Sequence, residues 1–155
     1  MRAYIAAPLF SDAERQYNLA VDAALNRLGL ETYLPQRDNI EDNLMAGSEP
    51  MSGKGRNVIF HRDVNAIKKS DFFIIVLDGR VPDEGSCVEL GMAYAWQKIC
   101  LGLQTDTRSF DASGSTNLMI EFALKNRITR SLKELTDLVS RLLAEINPSD
   151  PGFPV

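Results

Sequence analysis

The sequence predicts an α/β fold in which a five-stranded parallel sheet carries helices on both faces. Residues 72–77 form an apolar run that is too short for a core helix and rich in β-branched and aromatic side chains. Such a run is typical of a strand that is buried on both faces. Other short apolar runs alternate with segments of helical periodicity, which indicates repeated strand–helix–strand units with right-handed crossovers.

The beginning of the chain supplies the first strand and the first helix. Residues 2–7 predict strand 1, and Ser11 and Glu14 have the spacing of a capping box that opens a helix. Gly29 falls where a helix-terminating glycine is expected, and residues 30–34 predict a short second strand. The helix should bury an apolar stripe formed by Tyr17, Val21, Ala24, Leu25 and Leu28.

A long polar segment at residues 36–56 follows, and it predicts a loop of the length that often serves as a lid or a binding loop. Its glycines do not have the spacing of a phosphate-binding loop. Residues 57–69 then predict a helix. The candidate buried residues of this helix are Val58, Ile59, Val64 and Ile67.

The chain beyond the central strand predicts further helices and strands. Ser86 with Glu89, and Ser131 with Glu134, have the spacing of capping boxes, so helices should open at both serines. The predicted elements are a helix at 86–97, a strand at 99–103, a polar loop at 104–116, a short helix at 117–125, an edge strand at 127–129 and a helix at 131–146. Residues 147–155 form an irregular tail, and the whole of 1–155 is expected to be a single domain.

These elements predict a flavodoxin-like (Rossmann-like) sheet with the strand order 2-1-3-4-5. The order reverses between strands 1 and 3, and open α/β sheets bind ligands at that point, beyond the carboxyl ends of the strands. The turn at 7–10 leaves strand 1, and the segment at 78–85 leaves strand 3. We therefore expect both segments to flank one ligand-binding crevice.

The composition argues against several classes of partner. The chain has 155 residues, a net charge of −4 and an isoelectric point near 5.0, which argues against nucleic acid as the main partner. No apolar stretch has the length of a membrane span, and no signal-peptide segment follows Met1. Cys87 and Cys100 form no disulfide framework, and no Cys/His cluster has zinc-ligand spacing. We expect a cytoplasmic protein with no metal and no cofactor.

Three carboxylates, those of Asp78, Asp83 and Glu89, lie in or just after the predicted switch-point loop. Paired carboxylates suit glycosidic-bond chemistry, in which one attacks the anomeric carbon and an acid protonates the leaving group. Glu89 is the better nucleophile candidate, because position N3 of a helix would keep it ionised, and Asp83 could exchange a proton. In the competing interpretation Glu89 only closes a capping box with Ser86, and the sequence alone favours that interpretation.

Other residues have weaker support from the sequence. His61 is the only histidine and has no evident partner, and Cys87 could have a lowered pKa near a helix start or only pack. Phe10, at the mouth of strand 1, could stack on a flat ligand or belong to the core. Asp63 could contact a ligand or lie on a solvated helix surface.

Four motifs occur in a fixed order between residues 4 and 119. They are the segment at 4–10, His61-Arg62-Asp63, the run from Leu77 to Gly91 that contains Asp83 and Glu89-Leu90-Gly91, and Asn117-Leu118-Met119. Together they resemble the nucleoside 2-deoxyribosyltransferase family. The resemblance implies the flavodoxin-like fold and transfer of 2-deoxyribose between nucleobases, without a cofactor.

The resemblance also implies roles for individual residues. Glu89 would be the nucleophile that forms a 2-deoxyribosyl-enzyme intermediate, Asp83 would contact the nucleobase and help move its proton, and Tyr4 would hold the nucleophile. Asn117 would reach the sugar 5′-hydroxyl from a neighbouring subunit, which implies a homo-oligomer built from dimers. The implied substrate-binding residues are Phe10, Asp63, Asp78, Gly79, Gly85, Ser86, Asn117 and Met119.

The implied substrates are 2′-deoxynucleosides and free nucleobases, in nucleoside salvage. A related glycosidase of deoxynucleoside 5′-monophosphates holds the phosphate with a turn that contains Gly, Ser and Arg. The turn at 6–10 here is apolar and has no arginine, which favours a free nucleoside. Two alternatives stay open, namely hydrolysis with water as the acceptor and a module that senses nucleotides without turnover.

Overall fold

The computed structural model describes residues 1–39, 53–106 and 116–146. Its elements are β1 (Arg2–Ala6), α1 (Asp12–Arg27), β2 (Glu31–Tyr33), α2 (Pro35–Asp38), α3 (Gly53–Lys69), β3 (Phe72–Val76), α4 (Glu84–Ala95), β4 (Ile99–Leu103), α5 (Leu118–Ala123), β5 (Ile128–Thr129) and α6 (Leu132–Ile146). The strands of this part form one parallel sheet in the order β2-β1-β3-β4-β5. The predicted fold and strand order are confirmed.

Helices cover both faces of the sheet. Beneath α1 and α6 lie buried residues that include Ile5, Val21, Leu25, Phe72, Ile74, Leu135 and Val139. Beneath α3, α4 and α5 lie buried residues that include Tyr4, Ile67, Phe73, Ile75, Leu90 and Leu124. Every residue of β3 is buried, as its unbroken apolar run predicts. Because both faces are covered, a ligand reaches this sheet at the strand ends.

The predicted start and end of α1 are confirmed. Ser11 accepts a hydrogen bond from the amide of Glu14, and the Glu14 carboxylate accepts one from the amide of Ser11. Gly29 follows the last helical turn with φ +81°, a conformation that suits glycine. The predicted stripe faces the core, with Val21, Ala24 and Leu25 buried and its other two members partly buried.

The region after β2 differs from its prediction. The sequence predicts a loop over residues 36–56, but Pro35–Asp38 is helical and α3 begins at Gly53, four residues before the predicted start at 57. Residues 40–52 lie outside the described part. Val58 is 50% exposed, so its predicted burial is wrong, whereas Ile67 is fully buried. The physical reason is that only the last turns of α3 pack closely on the sheet.

Helix boundaries in the last third of the chain are shorter than predicted. The helix expected at 117–125 spans Leu118–Ala123, because Lys125 and Asn126 have φ values of +51° and +58° that cannot continue a right-handed helix. Ser131 caps α6, and the Glu134 carboxylate accepts from the amide of Arg130, one residue before the predicted partner. Parts of the predicted loop at 104–116 and the tail at 147–155 lie outside the description.

Within the described residues, no helix combines the length and the apolarity needed to cross a membrane.

Candidate active site

A row of aromatic side chains crosses three strands on one face of the sheet. Tyr4 of β1 is in register with Tyr33 of β2 and with Phe73 of β3, so the three side chains point the same way. The ring of Tyr4 stacks on Tyr33 at a centroid distance of 5.4 Å and on Phe73 at 5.6 Å. Because its ring is fully buried between these two neighbours, the hydroxyl of Tyr4 is held in one place.

That hydroxyl binds the candidate nucleophile. The Tyr4 O–H donates to Glu89 Oε1 over 2.7 Å. Burial raises the pKa of Tyr4, and the negative charges of Glu89 and Asp63 raise it further, so the phenol stays protonated and acts as the donor. This contact joins residues that are 85 positions apart in the sequence.

The capping-box interpretation of Glu89 is wrong. Helix α4 begins at Glu84, two residues before the predicted start at Ser86, and its N-cap is Asp83. Glu89 therefore lies in the second turn rather than at N3, and its carboxylate binds Tyr4 instead of reaching back to the amide of Ser86.

The ionisation expected for Glu89 also needs correction. Burial raises the pKa of Glu89 to about 7, and the nearby charges of Asp63 and Asp83 contribute in the same direction. The hydrogen bond from Tyr4 opposes this rise because it stabilises the carboxylate. The side chain is thus poised to change its charge near neutral pH, whereas a position in the first helical turn would have kept it ionised.

Asp83 performs the capping that the sequence assigned to Ser86. Asp83 Oδ2 accepts from the amide of Ser86 at 2.7 Å and from its hydroxyl at 3.0 Å. Ser86 is buried, and a Cβ atom at Gly85 would lie 3.2 Å from Asp83 Oδ2. The aspartate is therefore fixed at the start of α4, where its charge acts on Glu89.

Asp63 of α3 lies in the same region and has two hydrogen-bond partners, Asn39 and Tyr33, that the sequence does not predict. Asn39 Nδ2 donates to Asp63 Oδ1 at 2.9 Å, and the hydroxyl of Tyr33 lies 3.0 Å from the same oxygen. The Tyr33 hydroxyl also lies 2.9 Å from Asn39 Oδ1, so it can donate to either oxygen. Burial raises the pKa of Asp63, and both hydrogen bonds oppose the rise.

The sequence contains one feature that points to Tyr33 as a site residue, and none that points to Asn39. Tyr33 ends the strand that the predicted order places beside strand 1, so it is a natural neighbour of Tyr4. Asn39 falls in a segment that the sequence predicts to be a loop, and its partner in α3 is 24 positions away.

The family sequence model described as nucleoside 2-deoxyribosyltransferase matches residues 3–134, which is most of the chain. The chain belongs to the nucleoside 2-deoxyribosyltransferase family. The resemblance drawn from the four motifs is confirmed, and membership supports an enzyme of the deoxyribosyltransferase type.

Solved structures share this fold. The 2-deoxyribosyltransferase of Bacillus psychrosaccharolyticus has 22% identity and a TM-score of 0.72, over 88% of this chain and 91% of that chain. The 2-deoxyribosyltransferase of Leishmania mexicana has 23% identity and a TM-score of 0.65, over 90% and 97%. The CMP N-glycosidase of Clostridium botulinum has 18% identity and a TM-score of 0.58, over 90% and 98%. No curated protein sequence matched the chain.

In this member of the deoxyribosyltransferase family, Asp78 and Gly79 connect the segments that follow β3 and β4. The Asp78 carboxylate accepts from the amide and the hydroxyl of Thr105, at 2.5 and 2.6 Å, and from the amide of Asp106 at 2.8 Å. The amide of Gly79 donates to the Asp106 carboxylate. These contacts tie the segment after β3 to the segment after β4, and any contact with substrate remains a prediction.

Asn117 and Met119 line a different part of the surface. Asn117 caps α5 by accepting from the amide of Met119, and both residues are exposed. They border a groove of about 620 Å³ between α4 and α5, and neither Tyr4 nor Glu89 is among its lining residues. Among the described residues, this groove therefore contains Asn117 without Glu89.

The remaining candidates have simple environments. Phe10 is 75% exposed, so it is available to a ligand and the core interpretation is wrong. His61 is exposed and packs edge-to-face on Phe60. Burial and the charges of Asp83 and Glu84 raise the pKa of Cys87, contrary to a lowered value near a helix start. Among residues 1–39, 53–106 and 116–146, no group of His, Cys, Asp and Glu side chains is placed to hold a metal ion.

Proposed function

We propose that this protein transfers 2-deoxyribose from a 2′-deoxynucleoside to a free nucleobase through a covalent ester on Glu89. The observation that carries the proposal is the partly buried Glu89 carboxylate, which accepts the hydrogen bond of the buried Tyr4 hydroxyl. Family membership supports chemistry at a glycosidic bond. The proposed reaction uses no metal and no cofactor.

The first half-reaction breaks the glycosidic bond. Tyr4 engages Oε1 of Glu89, so we assign Oε2 to the attack on C1′ of the sugar. As the new C1′–O bond forms, the C1′–N bond breaks and its electron pair leaves with the base, which takes up a proton. The product is a 2-deoxyribosyl ester of Glu89 with inverted configuration at C1′.

The second half-reaction restores the enzyme. A ring nitrogen of the acceptor base attacks C1′, the ester C1′–O bond breaks, and the Glu89 carboxylate is regenerated with a second inversion. The acceptor base loses the proton that balances the one given to the leaving base. We assign this proton exchange to Asp83, because both of its capping bonds use Oδ2 and not Oδ1.

The ionisation of Glu89 sets the working pH of this scheme. The nucleophile is the carboxylate, and its pKa is about 7 in the free protein. The reactive fraction therefore rises as the pH increases through neutrality. Asp63, which lies near enough to act on Glu89 through its charge, is proposed to contact the base or the sugar.

The test is exchange between deoxyinosine and adenine, followed as formation of deoxyadenosine by chromatography. Glu89→Ala should abolish the new nucleoside. Glu145→Ala removes an exposed glutamate from α6 and should leave the exchange unchanged. Transfer at the wild-type rate by Glu89→Ala would remove Glu89 from its assigned role.

Hydrolysis is the second candidate, since one fold neighbour is an N-glycosidase. Water would then replace the acceptor base in the second half-reaction. The two reactions differ in their dependence on acceptor, because only transfer makes a new nucleoside and speeds up when a base is added. Release of base at a rate independent of the acceptor would favour hydrolysis.

We also propose that the site is completed by a second copy of the chain. Exposed apolar side chains lie on α4 and on the segment just before it, and they continue across the groove to α5. They include Val81, Val88, Tyr94, Leu118, Met119 and Phe122. A continuous apolar surface of this kind is typical of a protein–protein interface. Docking a copy here would carry Asn117 toward the neighbouring subunit, as the family resemblance implies.

Sedimentation tests this assembly. Phe122→Asp places a charge on a residue of α5 that is 67% exposed in the single chain, and it should yield monomers that have lost transfer activity. Leu19→Asp makes the same kind of change at a 48% exposed position on α1 and should leave the assembly intact. Fully active Phe122→Asp monomers would contradict the shared site.

A further inference from the structure

We propose that Arg37 is a positioning residue of the active site, which holds Asn39 against Asp63 by clamping the short helix α2 to α1 and β2. The effect of Arg37 on catalysis rests on the proposed function. Its effect on the contact between Asn39 and Asp63 does not, and can be measured without any substrate.

The clamp uses the fork of one guanidinium group. Arg37 Nη1 lies 2.9 Å from both carboxylate oxygens of Asp22, and Nη2 donates to the carbonyl of Thr32 at 2.7 Å. Nε and Nη2 also donate to the Asp38 carboxylate at 2.9 and 2.8 Å. Asp22 is buried on α1 and accepts a further bond from the Thr32 hydroxyl. One side chain thus joins three elements.

Helix α2 needs such an anchor because it is only four residues long. Its N-cap, Leu34, makes no side-chain capping bond, and a single helical turn is not stable by itself. A second anchor comes from Gln36, which is bonded to Asn18 and to the carbonyl of Arg15. Asn39 directly follows the helix, and its amide donates to the carbonyl of Pro35. The place of Asn39 therefore depends on how α2 is held.

Asn39 is the link between the clamp and the site. It is 3% exposed, and its Nδ2 group donates to Asp63 Oδ1 while its own Oδ1 lies beside the Tyr33 hydroxyl. The charged or titratable groups that face Asp63 are Tyr4 of β1, Tyr33 of β2, Arg62 of α3 and Glu89 of α4. The Asn39 bond favours the ionised form of Asp63 and so opposes the effect of burial on its pKa.

Arginine suits this position better than lysine. A guanidinium group presents donors in a fixed planar fork that reaches Asp22, Thr32 and Asp38 at once, whereas an ammonium group is a single point on a flexible stem. Arg37→Lys keeps the charge but should lose part of the clamp. Its effect should fall between those of the wild type and Arg37→Met.

The substrate-free test follows the ¹³Cγ chemical shift of Asp63 against pH. In Arg37→Met, and in Asn39→Ala, the titration midpoint of Asp63 should move to higher pH, since the ionised form loses a donor. The double variant should add little to either single change, because both act on one contact. Lys133→Met breaks the exposed ion pair with Asp137 on α6 and should leave the midpoint unchanged.

The activity test compares kcat/KM for exchange across pH. In Arg37→Met, kcat/KM should fall on the order of tenfold at low pH, which corresponds to the free energy of one hydrogen bond to a charged group. The fall should be smaller at high pH. An Asp63 midpoint that stays at the wild-type value in a folded Arg37→Met protein would overturn the proposal. If the midpoint moves while the wild type shows no exchange, the clamp stands and the proposed function fails.

Discussion

Replacing Tyr4 with phenylalanine removes a single oxygen from the proposed site. The phenylalanine ring can keep its place between Tyr33 and Phe73, where the centroids are 5.4 and 5.6 Å from that of Tyr4. The aromatic row should therefore persist. What is lost is the 2.7 Å hydrogen bond to Glu89 Oε1, which favours the ionised carboxylate.

The size of the effect follows from that one bond. A hydrogen bond to a charged group contributes about 1.5–3 kcal/mol, and one pKa unit corresponds to about 1.4 kcal/mol. The pKa of Glu89, about 7 with Tyr4 in place, should rise to about 8–9 in Tyr4→Phe. Just below neutral pH the ionised fraction should then fall roughly ten- to hundredfold.

The assay is the pH profile of kcat/KM for exchange of base between a deoxynucleoside and free adenine. The acid limb should move up by about one to two pH units in Tyr4→Phe, and most of the activity should return in alkaline buffer. Ser140→Ala removes a hydroxyl from an exposed serine of α6 and should keep the wild-type limb. An unmoved limb in Tyr4→Phe would refute the assigned contact.

Three further changes test the packing and the charges. Folding raises the pKa of Glu89 from 4.5 to about 7, so stability is lost as the pH rises through this interval. Glu89→Gln should therefore raise the free energy of unfolding at about pH 8 by up to about 3 kcal/mol, with little effect near pH 4, in urea titrations. Gly102→Ala would place a Cβ atom 2.9 Å from Leu124 Cδ1 and should lower stability by about 1–3 kcal/mol, and an unchanged urea midpoint would contradict the packing described. Asp78→Ala should loosen the segment after β4, seen as faster hydrogen exchange of the Thr105 amide, and unchanged exchange would show that the carboxylate does not hold it.

The fold could be predicted from the sequence because its determinants are local. The run at 72–77 is buried in full, and the cap at Ser11 and the terminating Gly29 mark α1 by short-range chemistry. The strand order follows from alternating strands and helices with one hand of crossover. None of these inferences needs a contact between distant residues.

The candidate site is harder to predict from the sequence than the fold, because its contacts join residues that are far apart in the chain. Two caps compete at the start of α4, since Asp83 and Ser86 are both good N-caps, and the pattern at Ser86 and Glu89 looked complete. Glu89 does not cap the helix, because its carboxylate accepts a hydrogen bond from the hydroxyl of Tyr4, which lies 85 positions away in sequence.

The charge state of Glu89 was missed for a related reason. Its pKa depends first on burial, then on the hydrogen bond from Tyr4, and then on the charges of Asp63 and Asp83. Spacing along the chain gives neither the depth of burial nor the position of Asp63 beside Glu89. Asn39 is a similar case, because its role depends on α2, a single turn inside a segment that looks like loop.

The most direct test of the covalent scheme is intact-mass and peptide mass spectrometry of the protein quenched in acid during turnover of a 2′-deoxynucleoside. We expect a mass increase of one 2-deoxyribosyl group, located on the peptide that contains Glu89 and absent from Glu89→Ala. Continued exchange with no adduct, or with the sugar attached to another residue, would contradict it.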